Sequence, residues 1–437
     1  MCHGSFQSNS LAPRLVPMLK LSLLLIQLGT ILLIARLVGL LFKRINQPQV
    51  VGEMVAGILL GPSFLGWLSP SAMIALFPPE SLGLLNAFGQ VGLLVFMFLV
   101  GLKVDVKLLR TMSHTVVLTS HVSIVVPFFL GMLLALYLYP RLSDESVTFA
   151  GFALFMGAAM SVTAFPVLAR ILTERRMLGT RLGAVAIVCS AVDDVTAWII
   201  LAFIVVLVRT TAQDGSILLN LSFIIAYALI MIFGVRRLLA RFEIQYRLQE
   251  NFTHNMIALV LLLVLASASI TEWLGIHTLF GAFLVGVIMP KERSFVSDLT
   301  EKLEGLPVIL FLPVFFTATG LRTTIQLLSG AEMWFYCALI IVVATAGKLG
   351  GSMLSSRISG MSWREAGSLG ILMNTRGLME LVILNIGFDI GVISPALFSM
   401  MVLMAIVTTF MTSPALGLVY REQAAPKETL IANEQLA

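Results

Sequence analysis

The chain has 437 residues, 58% of them hydrophobic and 12% charged, with a mean hydropathy of +0.99. A soluble domain carries about 25% charged residues, so this composition excludes a sizeable soluble domain and describes a polytopic membrane protein. The net charge of +5 falls in short loops, a topology signal that argues against nucleic acid as a partner, and Cys2, Cys189 and Cys337 have neither metal nor disulfide spacing.

Apolar runs of about 18 residues or more read as membrane helices. Thirteen are predicted, at 18–42, 49–67, 84–102, 114–139, 148–172, 180–208, 217–239, 253–273, 275–290, 305–321, 333–356, 364–388 and 393–419. The first has too long an apolar core for a signal peptide and no small-residue cleavage site. The second and ninth are short for a hydrocarbon core of about 30 Å.

An odd number of spans puts the termini on opposite sides. The loops after spans 1, 3, 5, 7, 9 and 11, with the C-terminal tail, hold 20 Lys and Arg, among them Lys43, Arg44, Lys103, Lys107, Arg110, Arg175, Arg176 and Arg241. The other side holds five: Arg14, Lys20, Arg141, Arg209 and Arg322. The bias predicts an external N-terminus and a cytoplasmic C-terminus.

Span 3 ends "LLVFMFLVGLKVD" and span 10 ends "LFLPVFFTATGLRTT", matching Gly101-Leu102-Lys103 to Gly320-Leu321-Arg322 at an offset of 219. Span 2 carries "VAGILLGP" and span 9 "FGAFLVGVIMP"; spans 5 and 12 carry the polar interruptions "SVTAFPVLAR" and "NTRGLMELV". Each pair lies seven spans apart, so its copies point opposite ways. That is an inverted-topology repeat, spans 1–6 against 8–13 with span 7 as linker, and such repeats mark secondary transporters with a midplane site between broken helices.

The polar residues within spans are the candidates for chemistry. Glu53 lies about one turn inside span 2, where an ion path and a packing role are equally open. His121 reads as a satisfied core histidine rather than a pH sensor. Ser161-Val162-Thr163, with Pro166 following, marks a helix break, since proline donates no backbone bond. An unwound segment exposes carbonyls, and Ser161 and Thr163 add hydroxyls; the alternative is a proline kink with hydroxyls bonded back to the helix.

Asp193 and Asp194 lie half-way between Arg181 and Arg209. A charge at the bilayer centre costs about 2.5–3.5 kcal/mol on insertion scales. Two carboxylates close together in low dielectric titrate as one coupled unit. Such a pair suits an exchange of protons for a hard cation with oxygen ligands; a pair kept for stability alone is the weaker reading, because an apolar pair is cheaper. Lys348, in "IIVVATAGKLGGSML", is the natural counter-ion and a candidate proton carrier, with cation entry competing for its salt bridge and releasing the lysine. Snorkelling is its alternative, but the cytoplasmic end is about 12 Å away at 1.5 Å per residue. Asn374-Thr375-Arg376, with Gly377, marks the second break. Arg376 and Glu380 are four apart, share a helix face and pair to support the broken ends rather than to bind the ion. Asp389, Glu272 and His277 sit near outer helix ends, where solvation is expected.

These motifs resemble a family. "GEMVAGILLGPSFLG", "SVTAFPVLARIL", "AVDDVTAW", "GKLGG" and "NTRGLMELVILNIG" are similar to those of the monovalent cation–proton antiporters, second branch, with its Kef-type systems and sodium–proton exchangers. The resemblance covers about residues 18–420. It implies the sodium–proton antiporter fold: all-α, polytopic, a homodimer in the lipid bilayer, moving like an elevator and using no cofactor. It further implies a dimerisation scaffold from 1–112 and 251–330, a transport core from 113–209 and 331–420, a linker helix in 210–250 and a short cytoplasmic tail, 421–437. Asp194 would be the main ion and proton carrier and Asp193 the companion of Lys348. The paired aspartates resemble the electrogenic members, which exchange two protons for one sodium. Kef-type systems often carry a C-terminal nucleotide-binding domain, and with so short a tail that regulation is expected to be absent.

The expected function is Na+/H+ exchange across a bacterial plasma membrane. A K+/H+ antiporter of the same fold is the main alternative and a cation channel a lesser one. An enzyme is the least expected reading, since no nucleophile–base set, metal-ligand spacing or phosphate loop appears. An intramembrane aspartyl protease needs its two acids on separate helices.

Overall fold

The computed structural model describes residues 16–104, 114–144, 147–177, 180–212, 217–249 and 253–420. Lys107, Arg110, Arg14, Cys2 and the tail 421–437 lie outside these, as do the side chains of Lys20 and Arg209. The described residues are helical apart from short connections. In chain order the helices are α1 (Val16–Arg44), α2 (Gln49–Leu60), α3 (Leu65–Leu68), α4 (Pro70–Leu76), α5 (Pro79–Lys103), α6 (His114–Leu142), α7 (Phe149–Ser161), α8 (Phe165–Glu174), α9 (Arg181–Ala212) and α10 (Ile217–Leu229). There follow α11 (Arg236–Gln249), α12 (His254–Trp273), α13 (Thr278–Ile288), α14 (Arg293–Leu306), α15 (Leu312–Arg322), α16 (Ala331–Ile358), α17 (Trp363–Met373), α18 (Leu378–Asp389) and α19 (Pro395–Val419).

Eleven of the resulting stretches are long and apolar enough to cross a membrane, and a twelfth is the pair α17–α18, bent by 43° at a short break. The ninth predicted segment is the 11-residue α13, too short to cross a core of about 30 Å alone at 1.5 Å per residue. Its start slips from 275 to 278 because Gly275 turns at φ +79° and His277 caps the helix through Leu279 N–H. The tenth stretch instead runs from Arg293 to Leu327. Pro307 opens a π-helical segment, Pro307–Phe311, that joins the amphipathic α14 to α15 without a break.

Local signals set the ends. Thr148, Thr253 and Ser394 cap α7, α12 and α19 through their hydroxyls, and Ser362 with Glu365 forms a capping box on α17. Gly101-Leu102-Lys103 and Gly320-Leu321-Arg322 both end helices, with Val104 and Thr323 amides returning to the Gly101 and Gly320 carbonyls at 3.2 and 3.0 Å.

Packing follows small residues. α2 crosses α15 so closely that a Cβ on Gly320 would stand 2.1 Å from the Gly57 carbonyl carbon. Such contacts are how membrane helices gain van der Waals energy without a hydrophobic drive between them. α5 packs on α13 and α15, while α6 packs on α7 and α16, and α16 also meets α17 and α19. The interrupted helices α7–α8 and α17–α18 lie within this second set, next to α9.

Candidate functional site

Two chain breaks cross at the centre of the site. α7 stops at Ser161, Val162 and Ala164 are extended, and α8 restarts at Phe165 with Pro166 in its first turn. α17 stops at Met373, and α18 restarts at Leu378. The strands touch where the Ala164 amide donates to the Thr375 carbonyl at 3.0 Å.

A break orphans the last carbonyls of the helix before it, and here side chains satisfy them. Ser161 Oγ donates back to Ala158 O at 2.8 Å. The Arg376 guanidinium donates to Ala159 O at 3.0 Å and Met160 O at 2.5 Å. Lys348 Nζ donates to Ser161 O at 2.5 Å. Two cations thus stand at the negative end of the α7 dipole. On the second break, Thr375 Oγ1 donates to Leu372 O, and Thr163 Oγ1 lies 2.8 Å from Met373 O.

Asp193 and Asp194, on α9, are 0% and 1% exposed, and their surroundings differ. Asp193 Oδ2 is 2.5 Å from Lys348 Nζ and 2.8 Å from Thr163 Oγ1; Oδ1 accepts from Ser123 Oγ at 3.0 Å. Lys348 spends its other two protons on the carbonyls of Ser123 and Ser161, so all three donors are used. Neither Asp194 oxygen has a hydrogen bond among the described residues. The Phe165 amide, an orphan of the first turn of α8, is the backbone donor directed at Asp194.

Burying a carboxylate without a partner is costly. The one at Asp194 lies beside a helix N-terminus and a completed ion pair. No cluster of three His, Cys, Asp or Glu side chains forms among the described residues. A hard cation here would therefore take its remaining oxygens from hydroxyls, carbonyls of the breaks or water.

The other predicted residues take varied places. Arg376 NH1 donates to Glu380 Oε2 at 3.1 Å, both side chains buried. Thr409 Oγ1 accepts from the Arg376 amide at 2.9 Å and lies 2.8 Å from its carbonyl. Asn374 is buried, with Oδ1 unbonded. Ser161 contributes its carbonyl rather than its hydroxyl. Glu53 is bonded not to the aspartates but to Gln49 at 3.0 Å, and Arg170 of α8 donates to that same Gln49 at 3.0 Å. His121 is exposed, not in the core, with Nδ1 2.8 Å from Val117 O. Asp389 is solvent-exposed, as expected for it, and paired to Arg322 at 2.7 Å.

Sequence reasoning missed Ser123 as a partner of both Asp193 and Lys348. Its signal was present in the run Thr119-Ser120-His121-Val122-Ser123, polar within an apolar span.

The family model of the transmembrane sodium/hydrogen exchangers matches residues 30–420. The Na(+)/H(+) antiporter NhaS4 of Synechocystis sp. is 42% identical over 401 residues, covering 92% of this chain and 98% of its own. K(+)/H(+) antiporter 1 of Saccharomyces cerevisiae is 33% identical over 422 residues, 95% of this chain, which spans only 47% of that protein's length. The solved sodium proton antiporter MjNhaP1 of Methanocaldococcus jannaschii aligns with a TM-score of 0.63 over 91% of this chain and 96% of its own, at 17% identity, a likeness of fold. These relatives are transporters, not enzymes.

Proposed function

The chain belongs to the sodium/hydrogen exchanger family as a multi-pass monovalent cation/H+ antiporter, and on that premise we propose that it favours Na+ and works by elevator-type alternating access. The observation that carries this reading is the unpartnered Asp194 carboxylate beside the Asp193–Lys348 pair, where two broken helices cross. At high cytoplasmic pH both aspartates are charged. A cation enters from inside, takes Asp194 and backbone oxygens of the breaks, and displaces Lys348 from Asp193. The neutralised site then crosses, because a compensated charge is cheaper to carry through low dielectric than a bare one. Outside, protons replace the cation and the site returns.

The rest of the reading is of one piece with this. The chain is an electrogenic member of the second, Kef-type branch with thirteen membrane segments, the short α13 being the ninth. Its halves are inverted repeats; the crossed breaks and the matched helix ends at Lys103 and Arg322 support that symmetry. Residues 1–112 and 251–330 form the dimerisation scaffold, 113–209 and 331–420 the moving core, and 210–250 the linker. The protein is a homodimer in a bacterial plasma membrane, with its N-terminus outside and C-terminus in the cytoplasm, as the Lys and Arg bias supports. Ser161, Thr163 and Asp193 complete the ion site; Asn374, Thr375, Arg376 and Glu380 hold the breaks in place, and Glu53 borders the ion path.

Solid-supported membrane currents with Na+, K+ and Li+ on one preparation test this. The expected result is a saturable, proton-coupled current largest for Na+. A larger current with K+ shifts the assignment to K+/H+ exchange, the second reading, which the yeast relative favours. Conductance far above carrier turnover refutes a carrier in favour of a channel.

A further inference from the structure

A cavity remote from the aspartates in its lining has a charge opposite to that of an ion path. Of about 690 Å³, it is walled by Lys43, Asn46 and Gln47 at the end of α1, by Glu174, Arg175 and Arg176 at the end of α8, and by the end of α19. We propose that it is a binding site for a phosphate-bearing anion. Its volume falls within the range of small-ligand pockets.

The sign of the site follows from its charges. Glu174 is neutralised by Arg170 at 3.1 Å. Lys43 and Arg176 have no carboxylate partner among the described residues. Arg175 donates through NH2 to Ser413 O at 3.1 Å, leaving further guanidinium donors free. Three helix C-termini meet here, and each brings about −0.5 of dipole charge. Three full cations outweigh that, so the cavity repels the transported cation and attracts an anion. Paired guanidinium groups match phosphate geometry in particular.

The backbone supports the assignment independently. Asn46 and Arg176, at φ +57° and +53°, are the two non-glycine residues with positive φ among the described residues, and both line this cavity. Each closes its helix, with Gln47 N–H returning to Phe42 O at 2.9 Å and Met177 N–H to Leu172 O at 2.7 Å. Glycine fits that closing position without steric cost.

The cavity spans both bodies of the proposed elevator: α1 belongs to the scaffold, α8 and α19 to the core. A bound anion would bridge them and slow the cycle. This regulatory part rests on the elevator reading; the binding itself does not. All three lining segments lie on the basic face, where anionic headgroups and soluble phosphates are both within reach.

The test uses the full chain purified in neutral detergent. Thermal unfolding is followed against inorganic phosphate, ATP, dioctanoyl phosphatidylglycerol and dioctanoyl phosphatidylcholine, in the wild type and in Lys43→Gln/Arg176→Asn, where asparagine tolerates the positive φ. Stabilisation by phosphatidylglycerol alone identifies a lipid headgroup, and stabilisation by phosphate or ATP a soluble anion. Either result, with apparent affinity at least about tenfold lower in the double variant, supports the site. No stabilisation by any of the anions, or equal response of the two proteins, overturns it. In proteoliposomes the same ligand is expected to slow wild-type exchange and not that of the variant; binding without slowing overturns the bridging role. Absence of exchange from both proteins strikes at the antiporter reading and leaves the binding result standing.

Discussion

Lys348 Nζ lies 2.5 Å from Asp193 Oδ2, with both side chains fully buried, while the next residue, Asp194, accepts no side-chain hydrogen bond among the described residues. Adjacent positions on a helix point about 100° apart. That angle turns Asp193 toward Lys348, Ser123 and Thr163, and leaves Asp194 facing the first turn of α8. Asp193 is held by three side-chain partners, whereas Asp194 has none among the described residues.

Asp194→Asn is expected to abolish exchange and leave the protein folded. The amide keeps the shape and removes the unpaired charge, so no buried partner is orphaned. Thermal stability should be unchanged or raised, since an uncompensated buried charge is a cost. Proteoliposome exchange at the level of empty liposomes, with a monodisperse elution profile, is the expected pair of readings. Undiminished sodium-driven proton movement would falsify the role given to Asp194.

Lys348→Ala removes one partner of a buried pair and leaves Asp193 uncompensated. Such deletions cost about 3–5 kcal/mol, and the Ser161 and Ser123 carbonyls lose their donor as well. A clear fall in melting temperature is expected, partly recovered in Lys348→Ala/Asp193→Asn. The voltage dependence of transport should weaken more than the apparent Na+ affinity. Wild-type electrogenicity in the single variant counts against the lysine as a proton carrier.

Much of this was readable in the sequence where a residue type is expensive in lipid. Asp193, Asp194, Lys348, Arg376 and Glu380 announce themselves because charge in an apolar span has few reasons to persist. The breaks at 162–164 and 374–377 announce themselves through Pro166, Gly377 and short polar runs. What stayed hidden depends on three-dimensional approach. Ser123 and Thr409 are cheap hydroxyls, indistinguishable in sequence from those bonded to their own helix, as Ser161 turned out to be. The Phe165 amide has no side-chain signature at all. His121 was misplaced because one polar residue in an apolar run does not say which way its face points. The stretch from Arg293 exceeds the predicted 305–321 because a π-helical segment at Pro307 joins the amphipathic α14 to α15.

Arg376 is expected to tolerate no conservative replacement. Its fork reaches Ala159 O, Met160 O and Glu380 at once, whereas an ammonium lacks the planar geometry. Arg376→Lys should lower stability by about 1–3 kcal/mol through the carbonyls left unpaired. Arg376→Met should cost more, because Glu380 is stranded, and Arg376→Met/Glu380→Met should recover part of that loss. Melting curves of the three variants check the order; a double variant no more stable than Arg376→Met would mean the ion pair contributes nothing.

Gly320 and Gly83 offer a matched pair for the packing of α2 on α15. A Cβ at Gly320 meets the Gly57 carbonyl carbon and oxygen at 2.1 Å, and backbone cannot swing aside as a side chain can. Gly320→Ala must therefore push α2 away from α15, losing close contacts along the crossing that nothing hydrophobic replaces in lipid. Gly83 lies in α5 with nothing within 4 Å of its virtual Cβ. Gly83→Ala loses no packing and gains helix propensity, about 0.5–1 kcal/mol. The expected outcome is a lower melting temperature for Gly320→Ala and an equal or higher one for Gly83→Ala. Gly57→Ala should resemble the first, since its Cβ would stand 2.3 Å from Phe316 O. Identical melting of all three would show that α2 and α15 can separate freely, and the close crossing would then have no role in holding the helices together.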